Sequence, residues 1–263
     1  MNTSQIASRA VIALFKTGAW RALKTHGAET REENARHGLT DEARVQVRIC
    51  SHPALAALTK LHAEARAEHY RLTLPAADEG WRILPGARQM EHSANMAALA
   101  ARHTATVAEF VSAYDVERAT APQRLNGLYI PSQWPCAGEV AQRFQFSTRY
   151  LPIPSLGQWD IWIQESAAEA ESDFKNRLAD AVRKLAGKLA DPKAIFRDSL
   201  VSNLAEICAL AGDMNLRDDP AIAAIAQQGA ALAAIPAETL RNDATARKDI
   251  AGKASALCSM FSL

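Results

Sequence analysis

The chain has 263 residues, of which 48% are hydrophobic, and its 30 basic and 29 acidic residues give a formal net charge of +1. A chain this apolar and this close to neutral belongs neither with disordered proteins nor with proteins whose whole surface wraps nucleic acid. No apolar run approaches the roughly 20 residues of a membrane span. Alanine is abundant among the apolar residues, which favours helices over sheets.

The cysteines and the missing motifs limit the chemistry. The four cysteines are separated by tens of residues, so they form neither a disulfide scaffold nor a zinc-binding spacing, and we interpret them as reduced thiols of a cytoplasmic protein. Phosphate loops, dinucleotide fingerprints and nucleophile elbows are missing as well. The sequence therefore predicts a protein that is not an enzyme, with no catalytic residue, no cofactor and no metal.

The first 24 residues contain four basic and no acidic residues, and apolar residues alternate with them. This pattern is typical of a basic amphipathic segment: a transit peptide, a membrane-surface helix, a nucleic-acid-binding arm or a helix docked on its own domain. Residues 27–38 are polar and lack apolar periodicity, which predicts a flexible connection. We therefore predict an N-terminal segment with its linker over residues 1–38 and a helical domain over residues 39–263.

Two helices are predicted in the first half of that domain. One begins near Thr40 and runs toward Tyr70, and the other covers residues 90–119. Residues 72–87 hold two prolines and two glycines between them, and their alternating apolar residues predict short extended pieces. One face of the second helix predicts a buried or interface stripe, which consists of His92, Met96, Leu99 and His103.

Residues 122–164 contain five prolines and three of the five tryptophans. From Arg143 to Tyr150, basic or polar residues alternate with aromatic ones, and Trp159, Ile161 and Ile163 alternate likewise. The two runs predict a small antiparallel β-ribbon near residues 143–164, inserted in the helical domain. Either its aromatic side chains face a core and its arginines face water, or Arg143 and Arg149 bind single-stranded nucleic acid beside them.

After Gln164 the apolar spacing is helical to the end of the chain. Residues 174–189 and 196–211 predict two helices, Asp219-Pro220 begins a third, and Pro236 begins a fourth. Short links between long amphipathic helices are typical of antiparallel bundles. The predicted fold class is mainly α, an antiparallel helical bundle with long helices and the small inserted ribbon.

Several motifs between residues 70 and 225 resemble a known family. They are Arg124-Leu-Asn-Gly-Leu, Trp134-Pro, Arg143-Phe-Gln-Phe-Ser, Tyr150-Leu-Pro-Ile-Pro, Ile195-Phe-Arg-Asp-Ser-Leu and Asn215-Leu-Arg-Asp-Asp-Pro. The family occurs in bacteriophages, prophages and plasmids, often near genes for MoxR-type or cobaltochelatase-like AAA+ ATPases and von Willebrand factor A domain proteins. The resemblance implies a mainly helical protein of a phage or mobile element but supplies no site. The first 40 residues and Cys136-Ala-Gly depart from the family pattern.

Three functional hypotheses follow, and the last of them is an enzyme of unrecognised type. The first is a non-enzymatic helical adaptor or scaffold that self-associates or presents its surface to a protein partner such as an AAA+ ATPase. The alternative is a single-stranded nucleic-acid-binding protein of phage replication or recombination. Its predicted binding residues are Arg9, Lys16, Arg21, Lys24, Arg143 and Arg149. Convergence of these cations on one exposed face would favour the alternative.

Overall fold

A computed structural model describes residues 3–154 and 157–261, and its fold is mainly α with a small antiparallel sheet. The chain divides into two compact units, and this division does not coincide with residue 38. Unit 1 comprises residues 1–14, 72–90 and 150–263, and unit 2 comprises residues 15–71 and 91–149. The chain therefore passes between the units four times.

The helices of the first part of the chain are α1 (Thr3–Arg9), α2 (Gly27–His37), α3 (Pro53–Leu72), α4 (Gln89–Leu125) and α5 (Ala137–Ala141). Those of the second part are α6 (Asp160–Ala190), α7 (Ser199–Met214), α8 (Pro220–Ala233), α9 (Ala237–Asn242) and α10 (Ala244–Ser259). The strands are β1 (Ala10–Gly18), β2 (Leu23–Thr25), β3 (Gln46–Arg48), β4 (Leu74–Pro75), β5 (Arg82–Pro85) and β6 (Gln145–Pro152).

The larger sheet has the strand order β4-β5-β1-β6. Strand β5 pairs antiparallel with both of its neighbours, so that Ile83 lies opposite Ile12 on one side and opposite Leu74 on the other. All three of these side chains are buried. The extended pieces predicted between residues 72 and 87 are confirmed as β4 and β5.

Helices α6 to α10 form most of unit 1. Helix α6 packs against α7 and α10, and α8 packs against α7 and α10. The apolar face predicted from Phe174 to Leu189 is confirmed, since both of these residues are buried in the core of unit 1. Helix α8 begins as predicted, because the Asp219 carboxylate accepts a hydrogen bond of 2.8 Å from the backbone N–H of Ala221 and Pro220 needs no such partner.

In unit 2, helices α3 and α4 and strands β2 and β3 surround a core rich in aromatic rings. Strands β2 and β3 form an antiparallel pair in which Leu23 lies opposite Arg48. Phe110 and Tyr114 of α4 are fully buried beside Trp20. The predicted stripe of α4 is also confirmed as buried, since His92, Met96, Leu99 and His103 all lie in the interior.

The N-terminal prediction was wrong in two places. Residues 10–18 of the basic amphipathic segment are strand β1 and not one of the helices considered for it, because Ala10 to Ala13 pair with β5. Residues 27–37 are helix α2 rather than a flexible connection. Arg36 forms ion pairs with the carboxylates of Glu32 and Glu33, which lie one helical turn before it, and these pairs stabilise the polar helix. Gly38 ends the helix with a positive φ of 66°.

The predicted β-ribbon was half wrong. Residues 145–152 are strand β6, but they lie beside β1, and residues 160–163 begin helix α6. A short alternating run does not distinguish a strand from a helix, and here Ile163 is buried as the first core residue of α6. Residues 155–156 of the predicted turn lie outside the described residues. Two helix starts were also misplaced, because residues 41–45 are irregular and α7 begins at Ser199 rather than at residue 196.

Candidate anion-binding groove

Two adjoining cavities open on unit 2 and share Ala19, Arg21 and Thr59 in their walls. The larger has a volume of about 780 Å³ and the smaller about 240 Å³. We call the two together the cationic groove. Its polar and ring-bearing walls consist of Thr17, Trp20, Arg21, Arg48, Ser51, His52, Thr59, His62, Arg66, Tyr70 and Phe144.

The groove is positively charged and lacks acidic walls. Within the described chain, no Asp or Glu lines either cavity, and none of Arg21, Arg48 and Arg66 forms an ion pair there. The carboxylates of α3 are engaged elsewhere. Glu64 accepts hydrogen bonds of 2.6 and 2.9 Å from the guanidinium of Arg102, and Glu68 is bound by Arg71. Three guanidinium groups thus surround a concave surface with no carboxylate to compensate them, which is the electrostatic condition for attracting an anion.

The helical repeat of α3 explains one wall of the groove. His62, Arg66 and Tyr70 follow one another at intervals of four residues, so they lie on one face of the helix. The apolar residues Leu61 and Ala65 lie on another face and are buried. The same amphipathic helix therefore presents one face to the core of unit 2 and another to the groove.

A backbone kink sets the opposite wall. Ala22 has a φ of 52°, a left-handed conformation that is uncommon for a residue with a Cβ, and its side chain is buried. Its carbonyl accepts a hydrogen bond of 2.8 Å from the N–H of Ile49, which ties the kink to the residue after β3. Arg21 and Leu23, on either side of Ala22, both line the groove. Strained backbone of this kind is concentrated at ligand-binding sites.

Behind the groove, six side-chain rings contact one another in a row through unit 2. His62 stacks on His103 with centroids 5.1 Å apart, and the Nδ1 of His69 and the Nε2 of His92 share a hydrogen bond of 3.0 Å. Phenylalanine rings of β1 and β6 join the two histidine pairs. In order, this ring row consists of His62, His103, Phe146, Phe15, His69 and His92.

Burial and neighbouring charge keep members of the ring row neutral. Desolvation lowers the pKa of His62, and the positive charge of Arg66 lowers it further. Desolvation also lowers the pKa of His103, with a smaller contribution from His62, and it lowers the pKa of His92 despite the nearby carboxylate of Glu68. An uncharged imidazole in a low-dielectric interior is the form that these surroundings favour.

The six basic residues predicted to bind nucleic acid have different surroundings. Of the six, Arg21 lines the groove. Lys16 and Arg143 are exposed and Lys24 is half-buried, all in unit 2. Arg9 belongs to unit 1, where its guanidinium pairs with the Asp218 carboxylate at 2.8 Å. Arg149 is exposed on β6 at the last position of unit 2.

The predicted ribbon segment has the first of the two predicted arrangements, in which the aromatic side chains face a core and the arginines face water. Phe144 is buried and Phe146 is half-buried, whereas Arg143 and Arg149 are exposed. The three tryptophans of residues 122–164 belong to different units. Trp134 is buried in unit 2, and Trp159 and Trp162 contact each other in unit 1.

Sequence reasoning missed Arg48, His52, His62 and Arg66 as residues of one site. The spacing of His62, Arg66 and Tyr70 was a visible signal, because it places a basic residue between two rings on one helix face. Arg48 and His52 gave no signal of their own, since only the pairing of β2 with β3 brings them near Arg21.

The described residues were also considered for a cysteine nucleophile, a metal site and a membrane-spanning helix. Burial raises the pKa of the Cys50 thiol and raises that of Cys208 to about 11, which is the opposite of an activated nucleophile. Among residues 3–154 and 157–261, no group of three or more His, Cys, Asp or Glu side chains is arranged to hold a metal ion. The helices of the same residues include none that is both long and apolar enough to cross a membrane.

The chain was compared with protein-family models, curated proteins and solved structures, and none of them matches it.

Proposed function

We propose that the protein is a non-enzymatic nucleic-acid-binding protein and that unit 2 binds a single strand in the cationic groove. The observation that carries this proposal is the meeting of Arg21, Arg48 and Arg66 around a groove whose described walls contain no acidic residue. Neutralisation of phosphates by basic side chains supplies most of the sequence-independent affinity for nucleic acids.

The residue types of the groove suit phosphate. A guanidinium presents a rigid fork of N–H donors that matches two phosphate oxygens. Arg21 and Arg66 line the larger cavity, and Arg21 and Arg48 line the smaller one, so that each cavity has two guanidinium groups. The hydroxyl groups of Thr17 and Ser51 complement them. Successive phosphates of one strand would each find a cationic partner along the groove.

The rings of the groove favour a single strand over a duplex. Tyr70 lines the larger cavity and is 47% exposed. His62 lines the same cavity and His52 lines the smaller one, and both of these residues are half-buried. Unpaired bases stack on such ring faces, whereas the bases of a duplex are already stacked on each other. A cavity of about 780 Å³ has room for a few nucleotides but not for a helix of two strands.

The test is a titration of labelled 12-nucleotide single strands into the whole protein, followed by fluorescence anisotropy at low and moderate salt. We expect the double variant Arg21→Glu with Arg66→Glu to lose at least about tenfold in affinity. We also expect the slope of log affinity against log salt to become shallower by roughly 0.7 for each phosphate contact removed.

The matched control is Arg31→Glu with Arg44→Glu. These two arginines are exposed in unit 2 and do not line the groove, and their reversal changes the net charge by the same amount. Loss of affinity in the groove variant alone supports the proposal. Equal losses in both double variants, or no binding by the unaltered protein at low salt, would overturn it.

The adaptor hypothesis stays a prediction based on the family resemblance. Its partner is expected to be an AAA+ ATPase, and self-association is its second expectation. A pull-down from the native host, combined with a measurement of the molecular mass in solution, checks both. Recovery of no ATPase together with a monomeric mass would contradict the hypothesis.

A further inference from the structure

His62 and His103 lie between the cationic groove and the interior of unit 2. His62 lines the larger cavity, and His103 is only 5% exposed. Their rings are nearly parallel, with an interplanar angle of 24°. The Nε2 atoms of both rings are buried and, among the described residues, have no hydrogen-bond partner.

The other histidine pair of the ring row shows what a satisfied pair looks like. His69 and His92 hydrogen-bond to each other, and the Glu68 and Glu91 carboxylates lie nearby in contact with Arg71. A buried nitrogen without a partner loses its hydrogen bonds to water without replacement, so such groups are rare and are often found where a protein has a function to perform. The pair beside the groove is therefore the unusual one.

The charged residues near this histidine pair are arginines. Arg66 stands one helical turn after His62, and Arg21 lines the same cavity from the opposite wall. On α4, Arg102 adjoins His103, but its charge is compensated by the two hydrogen bonds to Glu64. Strand β6 contributes the apolar ring of Phe146. The uncompensated charges near His62 are thus positive, and they oppose a further positive charge on its ring.

We propose that the His62–His103 pair takes up one proton when a phosphate binds beside Arg66, so that binding of a nucleic acid strand strengthens as the pH falls. The inference rests on the proposed function, because it needs a phosphate in the groove. The proton comes from the solvent and adds to a ring nitrogen of the pair, and no other bond changes. The pair holds one proton rather than two, since two stacked imidazolium rings repel each other.

The physical reason is a reversal of the local charge. Burial is the larger cause of the lowered pKa of His62 and persists when a ligand binds, but a phosphate beside Arg66 compensates the smaller contribution of that guanidinium and adds a negative charge near the ring, so the pKa rises. By linkage, a ligand that raises the pKa of a group binds more tightly when that group is protonated. One fully linked proton changes the affinity by up to about tenfold for each pH unit.

The experiment uses the unaltered protein and a single strand that lacks a terminal phosphate, because internal phosphodiesters do not titrate near neutral pH whereas a terminal phosphate does. Isothermal titration calorimetry at pH 6.5 in buffers of different ionisation enthalpy counts the protons taken up on binding. Anisotropy titrations at pH 6.0 and 7.5 measure the affinity. We expect net proton uptake and an increase in affinity of roughly threefold or more at the lower pH.

Three histidine variants test whether the proton taken up on binding belongs to the His62–His103 pair. His62→Gln should remove most of the proton uptake and flatten the pH dependence. His37→Gln, an exposed histidine of α2 outside the groove, should leave both unchanged. His52→Gln tests the other histidine of the groove, and an effect there in place of one at His62 would overturn the assignment.

The two proposals fail in different ways. Binding that involves no proton uptake would overturn this inference and leave the proposed function intact. Failure of the unaltered protein to bind any strand at low salt would overturn both. The count of protons needs no variant, so the inference remains testable even if His62→Gln does not fold.

Discussion

The two units differ in how they use rings and charges. All seven histidines lie in unit 2, and none lies in unit 1. The core of unit 1 consists largely of aliphatic residues and alanine, whereas the core of unit 2 is built around Trp20, Phe110, Tyr114 and Trp134. Each unit has 15 basic residues, but unit 1 has 17 acidic residues and unit 2 has 12.

The ion pairs of unit 1 differ from the surroundings of the groove arginines in unit 2. In unit 1 several basic side chains have carboxylate partners, as in Arg88 with Asp213 and Lys175 with both Glu171 and Asp219. In unit 2 the three arginines of the groove have none among the described residues. Compensated charges have little left to offer a ligand, whereas uncompensated ones around a cavity attract an anion.

The largest expected loss of stability comes from a substitution in the packed core of unit 1. Phe174 of α6 is 1% exposed, so Phe174→Ala should lower the free energy of unfolding by about 3–5 kcal/mol through the cavity that it leaves. Ile161→Ala on the same helix is the control, because Ile161 is 71% exposed. Urea denaturation measures both variants. A loss at Phe174 no larger than the loss at Ile161 would contradict the assigned core.

Because all of the histidines lie in unit 2, we expect a fall in pH to destabilise unit 2 before unit 1. Burial lowers the pKa of His62, His92 and His103 in the folded protein, while the unfolded chain binds protons at about 6.5. Stability is therefore fully present above pH 6.5 and is lost as the pH falls below it, by up to about 1.4 kcal/mol per pH unit for each histidine.

Hydrogen exchange at two pH values locates this loss, after correction for intrinsic rates. The amides of α3 and α4 should lose protection between pH 7 and pH 5.5, while those of α6 and α10 keep more of theirs. An earlier loss of protection in α6 would count against the comparison of the two units.

Close packing in unit 1 gives the next effect. A Cβ added at Gly229 of α8 would lie 2.7 Å from the Sγ of Cys208 on α7. Gly229→Ala should therefore destabilise the protein by about 1–3 kcal/mol through overpacking. In the Cys208→Ala background the same change should be neutral or stabilising, because alanine favours a helix by roughly 0.5–1 kcal/mol over glycine. Additive losses in the double variant would show that the two helices do not touch there.

The smallest effect concerns a single hydrogen bond of unit 2. The Tyr114 hydroxyl donates a hydrogen bond of 2.9 Å to the carbonyl of Pro135. Tyr114→Phe keeps the buried ring and removes this bond, so we expect a loss of about 0.5–1.5 kcal/mol. Thermal unfolding monitored by circular dichroism measures it. A loss as large as that of Phe174→Ala would mean that the hydroxyl holds more of unit 2 than this one contact.

Helical periodicity was the most dependable guide to the fold. The spacing of Phe174 through Leu189 predicted α6, and the stripe from His92 to His103 predicted the buried face of α4. A long amphipathic helix repeats its signal over many turns, so that a few exceptions do not hide it. The signal fails for α2, whose polar residues are held by ion pairs and by the side chain of Asn34, which hydrogen-bonds to Ala43.

Strands were harder to predict, because a strand is stabilised by partners that are distant in the chain. Residues 10–18 resemble a basic amphipathic segment until Ile12 is seen opposite Ile83. Ile161 and Ile163 alternate as strand residues would, but both lie in the first turn of α6. Short patterns of this kind satisfy either structure, and packing decides between them.

The sequence by itself determined the mainly helical fold class, the long helix α6 and the buried face of α4, because each depends on local periodicity and capping. It did not determine the groove, because Arg21, Arg48 and Arg66 belong to a kinked connection, a short strand and a helix. Only the tertiary structure brings these three cations to one cavity while it directs Arg9 to a carboxylate in unit 1. The near-neutral total of the chain thus conceals an unequal distribution of acidic residues, and folding is what turns that inequality into a candidate site.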